Sequence, residues 1–387
     1  MNEVKLVDIK AQYDEIRDEL WREWDKAFDS MHLILGPNMS AFETEFAAYC
    51  GAEAAAAVDS GTSALLLALR SMDVGEGDEV LMPSWTFFAT PESVLLAGAH
   101  PVMIDIDETT LNVSPEKVRE YIETNSRHEG NRLVDRKTGK NLRAIIPVHI
   151  FGLPAAMDEI MAIADEYRLL VLEDCAQAHG AVYKGRKVGS IGDCAAFSFY
   201  LSKNLSALGE AGIILSRDRE KIEKVKRLRV HGQSDRYHHS DIGYNARMDE
   251  LQAVVLRLKL KKLDEWNRKR NQAARKYDER LRDLPLVLPA RVSGAESAYH
   301  LYVIRCRNRD RLAEHLKQRR IGVGIHYPLP CHLQPALSRL GYGAGSLPVT
   351  EKMAGDVLTI PMHPHLTADD IDRVADSIRD FFKTADG

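Results

Sequence analysis

From residue 63 to residue 215 the apolar positions alternate between two rhythms. Helical spacing covers Ser63 to Ser71, Thr90 to Leu96, Ser114 to Glu123 and Met157 to Tyr167. Short, β-branched apolar runs occupy Glu79 to Met82, Pro101 to Ile106, Arg143 to His149, Leu169 to Leu172, Ala195 to Phe199 and Ala211 to Leu215. Strands that are apolar throughout are covered on both faces, and the helices between them are the crossovers that parallel pairing needs. The pattern predicts an α/β fold with a mainly parallel sheet under helices. Ligands on such sheets sit beyond the carboxyl ends of the strands. Asp174 and Lys203 both fall there.

The flanks follow other patterns. Gln12 to Phe28 predicts an N-terminal helix, ending before Leu35-Gly36-Pro37, and Asp218 to Leu228 a solvated, highly charged one. Arg247 to Arg270 predicts a long helix with apolar positions Leu251, Val254, Val255, Leu258, Leu263 and Trp266. That helix divides the chain into a large domain, 1–266, and a smaller α+β domain, 267–387. The smaller domain is predicted to hold a helix at Arg268 to Leu281, a strand at His300 to Arg305, a helix at Asp310 to Arg319 and a closing helix at Ala368 to Phe381. One polar stretch, Asn125 to Leu142, exceeds the ~2 to 6 residues usual for such a connection. It predicts either a solvated β-hairpin or a mobile loop. No internal repeat is visible.

Composition narrows the functional classes. The chain has 387 residues, 45% of them hydrophobic, so it can bury a large core. A net charge of -5 gives no footprint for nucleic acid. No apolar run reaches the ~20 residues of a membrane span. The start, Met1-Asn2-Glu3-Val4-Lys5, lacks the basic and apolar regions of a signal peptide. A cytoplasmic protein with no nucleic-acid or membrane partner is expected. The five cysteines are Cys50, Cys175, Cys194, Cys306 and Cys331. Their wide, odd spacing supports neither a disulfide framework nor a zinc site. His238 and His239 are adjacent and have no nearby cysteine to complete a ligand set, so no metal is expected.

The candidate chemistry lies at the strand ends. Lys203 follows the run Phe197-Ser198-Phe199-Tyr200-Leu201-Ser202, and Glu173-Asp174 ends the run Leu169 to Leu172. A lysine and an acid so placed suit pyridoxal phosphate: the lysine condenses with the aldehyde, and the acid keeps the pyridine nitrogen protonated. Gly61, Thr62 and Ser63 lie in Ser60-Gly61-Thr62-Ser63, just before a helix, where backbone N–H groups and hydroxyls can cradle a phosphate. A plain N-cap is the alternative. Ser198 can reach the same phosphate. Gln177 can donate to a ring oxygen, while His179, on the same loop, reads as structural. Trp85, Phe87 and Phe88 compete to stack on the ring, and spacing does not choose among them. Asp193, after Gly192, reads as a turn residue.

These segments together resemble the nucleotide-sugar aminotransferases of the DegT/DnrJ/EryC1/StrS group, within the aspartate-aminotransferase fold (fold type I). The resemblance runs nearly end to end. It includes Ser60 to Leu65, Gly77-Asp78-Glu79-Val80, Glu173 to Gly180, Ser198 to Leu205, Gly243 to Met248 and His326-Tyr327-Pro328. It implies Lys203 as the cofactor-bearing lysine, Asp174 on the pyridine nitrogen, Gln177 on the ring oxygen and Phe87 on the ring face. It implies Thr62, Ser63 and Ser198 on the phosphate, joined by Asn245 from a neighbouring subunit. Arg247 from that neighbour, with His326 and Tyr327, is implied on the substrate. A homodimer with shared sites, L-glutamate as amino donor and a nucleotide-linked keto sugar as acceptor follow. The runs His231 to His239, Ile325 to Pro335 and Leu358 to Pro364 are similar to enzymes that aminate a 3-keto sugar. A 4-keto-sugar aminotransferase, a sugar dehydratase and a non-enzymatic sensor are the alternatives. Dehydratases of the group carry histidine where Lys203 stands, which favours transamination. Leu201-Ser202 and Glu210-Ala211 depart from the usual pairs, and the stretch Asn125 to Leu142 is longer than usual.

Overall fold

A computed structural model describes residues 2–385. Its centre is a nine-stranded sheet. The strands are β1 (Ala54–Val58), β2 (Asp78–Pro83), β3 (His100–Ile104), β4 (Ser126–Glu129), β5 (Arg132–Asp135), β6 (Asn141–Ile145), β7 (Leu170–Asp174), β8 (Cys194–Ser198) and β9 (Gly212–Ser216). Their order is β1-β9-β8-β7-β6-β2-β3, with β5 also on β6 and β4 on β5. The β3, β2, β6, β7 and β8 run is parallel. Strand β9 is antiparallel to both β8 and β1.

Alternation along each strand feeds two separate cores. Leu81, Ile145, Val171 and Ile213 enter one apolar cluster, while Val80, Ala144, Leu172 and Ile214 enter the other. The period-two geometry of a strand makes that split automatic. Helices α1 (Gly61–Ser71) and α2 (Ala89–Leu96) cover the second face and start at the carboxyl ends of β1 and β2. The predicted mainly parallel, helix-covered α/β sheet is therefore present.

Several expectations change in detail. The helix expected over Gln12 to Phe28 is two helices, Ile9–Asp14 and Arg17–Ser30. The helix expected over Arg247 to Arg270 is also two, α3 (Glu250–Leu260) and α4 (Leu263–Leu281). Apolar positions continue in helical register from Leu260 through Leu263 to Trp266, which hides the turn at Lys261-Lys262. Strand β7 runs through Glu173 and Asp174 rather than ending at Leu172. The polar stretch is the hairpin β4–β5, antiparallel and continuous with the sheet through β5 and β6. His238 and His239 are exposed on a small hairpin, and all five cysteines are buried and free.

The C-terminal part forms its own apolar cluster around β10 (Tyr302–Arg305) and β11 (Val357–Ile360), which pair antiparallel. Val4 belongs to that cluster. The N-terminal segment lies along it: Gly322 N–H donates to the Val4 carbonyl at 2.8 Å, and Met362 N–H donates to the Leu6 carbonyl at 3.1 Å. Residues 266 and 267 both lie inside the continuous helix α4. No helix among the described residues is long and apolar enough to cross a membrane.

Candidate active site

Lys203 sits in the loop between β8 and β9. Its backbone N–H donates to the Tyr200 carbonyl at 2.8 Å, closing a tight turn. The loop is pinned just beyond the lysine. Asn204 Nδ2 donates to the Ala298 carbonyl at 2.8 Å, and Lys259 Nζ on α3 donates to the Ser206 carbonyl at 2.8 Å and its hydroxyl at 2.9 Å. The Lys203 amine itself has no hydrogen-bond partner among the described residues. It lines a cavity of about 470 Å³. Burial pulls its pKa down to about 8, opposed by the negative charges of Asp174 and Glu210. A buried amine held near neutrality is a nucleophile at physiological pH.

Asp174 ends β7 on the same cavity and is 4% exposed. Thr90 Oγ1, in the first turn of α2, donates to Asp174 Oδ2 at 2.8 Å. The Thr86 and Thr90 hydroxyls lie 2.8 Å apart. The Ala176 N–H donates to Asp174 Oδ1 at 3.1 Å. Burial raises the pKa of Asp174, while the Thr90 and Ala176 donors and the Lys203 charge hold it down. The site thus contains an acid already braced to carry a negative charge.

Gly61 and Thr62 open α1 and line the cavity. Ser60 caps the helix, its Oγ accepting from the Ser63 N–H at 3.1 Å. Gly61 and Thr62 N–H groups have no intrahelical acceptor, as at every helix start. A Cβ at Gly61 would lie 2.5 Å from Ser198 Cβ, so only glycine lets the helix start and the end of β8 approach this closely. Ser63 does not reach the cavity wall; its N–H serves the cap instead.

Phe87 separates from its neighbours. Trp85 is 1% exposed in an apolar cluster and Phe88 packs against another, whereas Phe87 is 59% exposed and lines the cavity. The Phe87 and Tyr327 ring centroids are 6.1 Å apart. Gln177 Oε1 accepts from the Phe151 N–H at 2.7 Å, and its Nε2 donates to the Tyr327 hydroxyl at 2.9 Å. His326 Nδ1 lies 2.7 Å from Thr359 Oγ1, and burial beside the Lys203 charge lowers its pKa to about 4.

The cavity gathers Gly61, Thr62, Phe87, Asp174, Gln177, Ser198, Lys203, His326 and Tyr327 of the residues expected from the sequence. It does not gather Ser63, Asn245 or Arg247. Arg247 donates to Asn245 Oδ1 at 2.6 Å, and Asn245 is exposed, away from this cavity. Thr86, Thr90, Glu210 and His300 also line the wall and were not anticipated. Only Thr90 had a readable signal, its place in the first turn of a helix that follows a strand end. Behind the wall, His149, Glu173 and Cys175 form a buried cluster. Glu173 accepts from the N–H groups of Gly189, Ile191 and Gly192 and pairs with His149 Nε2 at 3.1 Å, so it ties down a loop. Asp193 does the same on a smaller scale, accepting from the Val171 N–H at 2.8 Å.

A family model described as the DegT/DnrJ/EryC1/StrS aminotransferase family matches residues 14–379. The chain belongs to that family. The "Erythromycin biosynthesis sensory transduction protein EryC1" of Saccharopolyspora erythraea is 41% identical to this aminotransferase-family chain, over 97% of it and 99% of the relative. The "dTDP-3-amino-3,4,6-trideoxy-alpha-D-glucose transaminase" of Streptomyces venezuelae is 39% identical, over 99% and 97%. The crystal structure of S. venezuelae DesV in complex with a ketimine intermediate superposes with a TM-score of 0.93 at 39% identity, covering 99% of both chains. The cavity fits the cofactor of aminotransferases. The unpartnered Lys203 amine, the braced Asp174 carboxylate and the close approach at Gly61 match the aldehyde, ring nitrogen and phosphate of pyridoxal phosphate.

Proposed function

We propose that this protein is a pyridoxal phosphate-dependent aminotransferase that moves an amino group from L-glutamate to the C-3 keto group of a nucleotide-linked sugar. The observation that carries this is the pairing of a free, half-buried Lys203 amine with Asp174 in one cavity. The C-3 assignment is supported by the 3-amino-sugar transaminase among the relatives.

Lys203 would hold the cofactor covalently, Asp174 its ring nitrogen, Phe87 its ring face, and Gly61, Thr62 and Ser198 its phosphate. When bound, pyridoxal phosphate supplies an electron sink for the pair left at the donor's α-carbon. The Lys203 amine, released when the donor binds, takes the α-proton and returns it on the other side of the transfer. Asp174 would hold the proton on the ring nitrogen, and its Thr90 and Ala176 donors oppose the burial that raises its pKa. Gln177 bridges the cofactor side to the substrate side by orienting Tyr327. His326 and Tyr327 face the sugar. Donor and acceptor use the site in turn, which gives ping-pong kinetics.

The proposal takes the enzyme to be a cytoplasmic homodimer whose partner supplies Asn245 and Arg247, with Ser63 in the phosphate cradle through its cap. It divides the chain into a cofactor domain, 1–266, and a smaller C-terminal one, 267–387, supported by the separate C-terminal apolar cluster. The test is direct. Purified protein should show a visible cofactor band that bleaches on adding L-glutamate, and a Lys203→Ala variant should lack the band and lose activity by at least ~10³-fold. Matched 3-keto and 4-keto nucleotide sugars, with products identified by mass and NMR, check the position of amination. Ammonia release with a deoxy-sugar product would overturn the transfer reaction.

A further inference from the structure

Ser84, His332 and Glu351 line up as a hydroxyl, an imidazole and a carboxylate. Ser84 Oγ lies 2.7 Å from His332 Nδ1, and His332 Nε2 lies 3.2 Å from Glu351 Oε1. The order is that of a nucleophilic triad, but the burial is not. Ser84 is 0% exposed and His332 1%, and neither lines the cavity. The His332 backbone N–H also donates to Ser84 Oγ, at 3.1 Å. The Glu351 carboxylate only accepts, so Nε2 carries a hydrogen, and Nδ1 is left to take the hydrogen of Ser84. A hydroxyl so committed is a fastener, not a nucleophile.

What it fastens is the chain that carries His326 and Tyr327. At one end of that chain, Gly324 N–H donates to the Thr359 carbonyl at 3.1 Å, and Thr359 N–H donates back at 2.8 Å. From Ile325 to Pro330 no backbone N–H has an acceptor among the described residues, and Pro328 and Pro330 have no N–H to give. The next backbone anchor is Cys331. Its N–H donates to the Ser84 carbonyl at 3.1 Å and its thiol to the Thr86 carbonyl at 3.3 Å. Tyr327 therefore rides a span tied to β11 at one end and to Ser84 and Thr86 at the other. Ser84 and Thr86 flank Trp85 and stand just before Phe87. On its other side His332 meets Glu351 of the helix Pro348–Asp356, and Glu351 also accepts from the Gly345 and Leu347 N–H groups. The anchor is thus held from both sides.

We infer that His332 is a positioning residue for the sugar side of the site: through Ser84 it fixes the far end of the span that carries Tyr327 against the segment that carries Phe87. This rests on the aminotransferase assignment for what Tyr327 touches. Loss of the Ser84–His332 bond frees one end of the span. The Phe87 segment keeps the Ser84 N–H bond to the Ile104 carbonyl at 3.1 Å and the Thr86–Thr90 contact, and Lys203 and Asp174 keep theirs. Amination of the sugar should suffer, and removal of the glutamate amino group should not.

Three variants separate this from a general role in folding. His332→Asn places an amide oxygen where Nδ1 stood and keeps a partner for Ser84. His332→Gln reaches Glu351 and loses Ser84. Ser84→Ala loses the same bond from the other side. Fluorine NMR of the full-length protein labelled with fluorotyrosine reads Tyr327 without any ligand, its line assigned from Tyr327→Phe. That line should broaden or shift in His332→Gln and Ser84→Ala and keep its wild-type place in His332→Asn. In the same two variants KM for a 3-keto nucleotide sugar, offered in dTDP and UDP forms, should rise about tenfold, and the double variant should be no worse than either, since one bond is lost once. Bleaching of the cofactor band by L-glutamate should stay within about twofold of wild type in all three. An unmoved Tyr327 line in Ser84→Ala, or an equal change in His332→Asn and His332→Gln, overturns the proposal. If the wild type shows no cofactor band, or none that bleaches with L-glutamate, the aminotransferase assignment fails instead, and the fluorine lines still decide the anchor.

Discussion

At the scale of single residues, the site is a problem of keeping charges where burial opposes them. Asp174 is buried, and burial alone favours the neutral acid. The Thr90 hydroxyl and the Ala176 N–H supply the opposing force. Thr90→Val should therefore raise the Asp174 pKa, since a donor to the ionised form is lost. A hydrogen bond to a charged group is worth about 1.5–3 kcal/mol, so cofactor affinity should fall at least ~10-fold. The visible band should shift toward the form with an unprotonated ring nitrogen, and Thr90→Ser should restore both. Equilibrium dialysis and absorbance spectra check this. Lys203 and Asp174 were legible in the sequence because a strand end announces itself through the apolar run before it. Thr90 was legible only as a first-turn residue of a helix that follows a strand end. Its contact with Asp174 spans 84 residues, and no local pattern encodes that contact.

At the scale of elements, the hairpin β4–β5 is the most unusual addition. It docks on the sheet through a part-buried polar knot. Thr138 Oγ1 donates to Glu79 Oε1 at 2.9 Å and Tyr121 donates to Asp135 Oδ2 at 2.9 Å. Glu79 Oε2 has no partner, and burial with the nearby Asp135 charge raises the Glu79 pKa to about 7. The folded state then binds more protons than the unfolded state between the ordinary glutamate range and pH 7. Stability must fall as pH rises through that window, and the loss persists above it. Glu79→Gln keeps the acceptor for Thr138 and removes the titration. It should raise stability at pH 8 by up to about 2 kcal/mol after discounting for solvent, with little effect at pH 5. Denaturant midpoints at the two pH values decide it. The sequence showed a polar excursion and allowed a hairpin, but its docking depends on Glu79 at the start of β2, which reads as an ordinary strand-edge residue. Strand β1 also escaped notice, since Ala54 to Val58 is mostly alanine, a weak strand former.

At the scale of the molecule, the proposal places two of the site's residues on a partner subunit. Asn245 and Arg247 were expected on the cofactor and substrate, yet both lie away from this chain's cavity. In the proposed homodimer, exchange across a two-fold axis would reconcile that expectation with their position, because each subunit would lend the same residues to the other. Lys203→Ala and Arg247→Ala should each be nearly inactive alone. Mixed after brief unfolding, they should recover about a quarter of wild-type activity, since half the dimers are hybrid and each hybrid has one intact site. Recovery near zero would show that Arg247 acts within its own chain. Activity of the refolded mixture, with the oligomer measured by sedimentation, provides the check. The fold class was legible end to end because alternating strands and helices leave a long-range pattern. The sharing of Asn245 and Arg247 between subunits came only from the family resemblance, since local sequence carries no record of which copy a side chain faces.

The N-terminal segment adds a mechanical consequence. Val4 and Leu6 are stitched to Gly322 and Met362, while α4 leaves the sheet and enters the same C-terminal unit. That unit is also fused to the sheet side, where Leu301, Val303, Met353 and Val357 share an apolar cluster with Trp85, Ile106 and Val148, and Asp105 accepts from the Val349 and Thr350 N–H groups. Any swing of the unit would have to part that shared cluster, so the two walls of the cavity keep their spacing as one packed body.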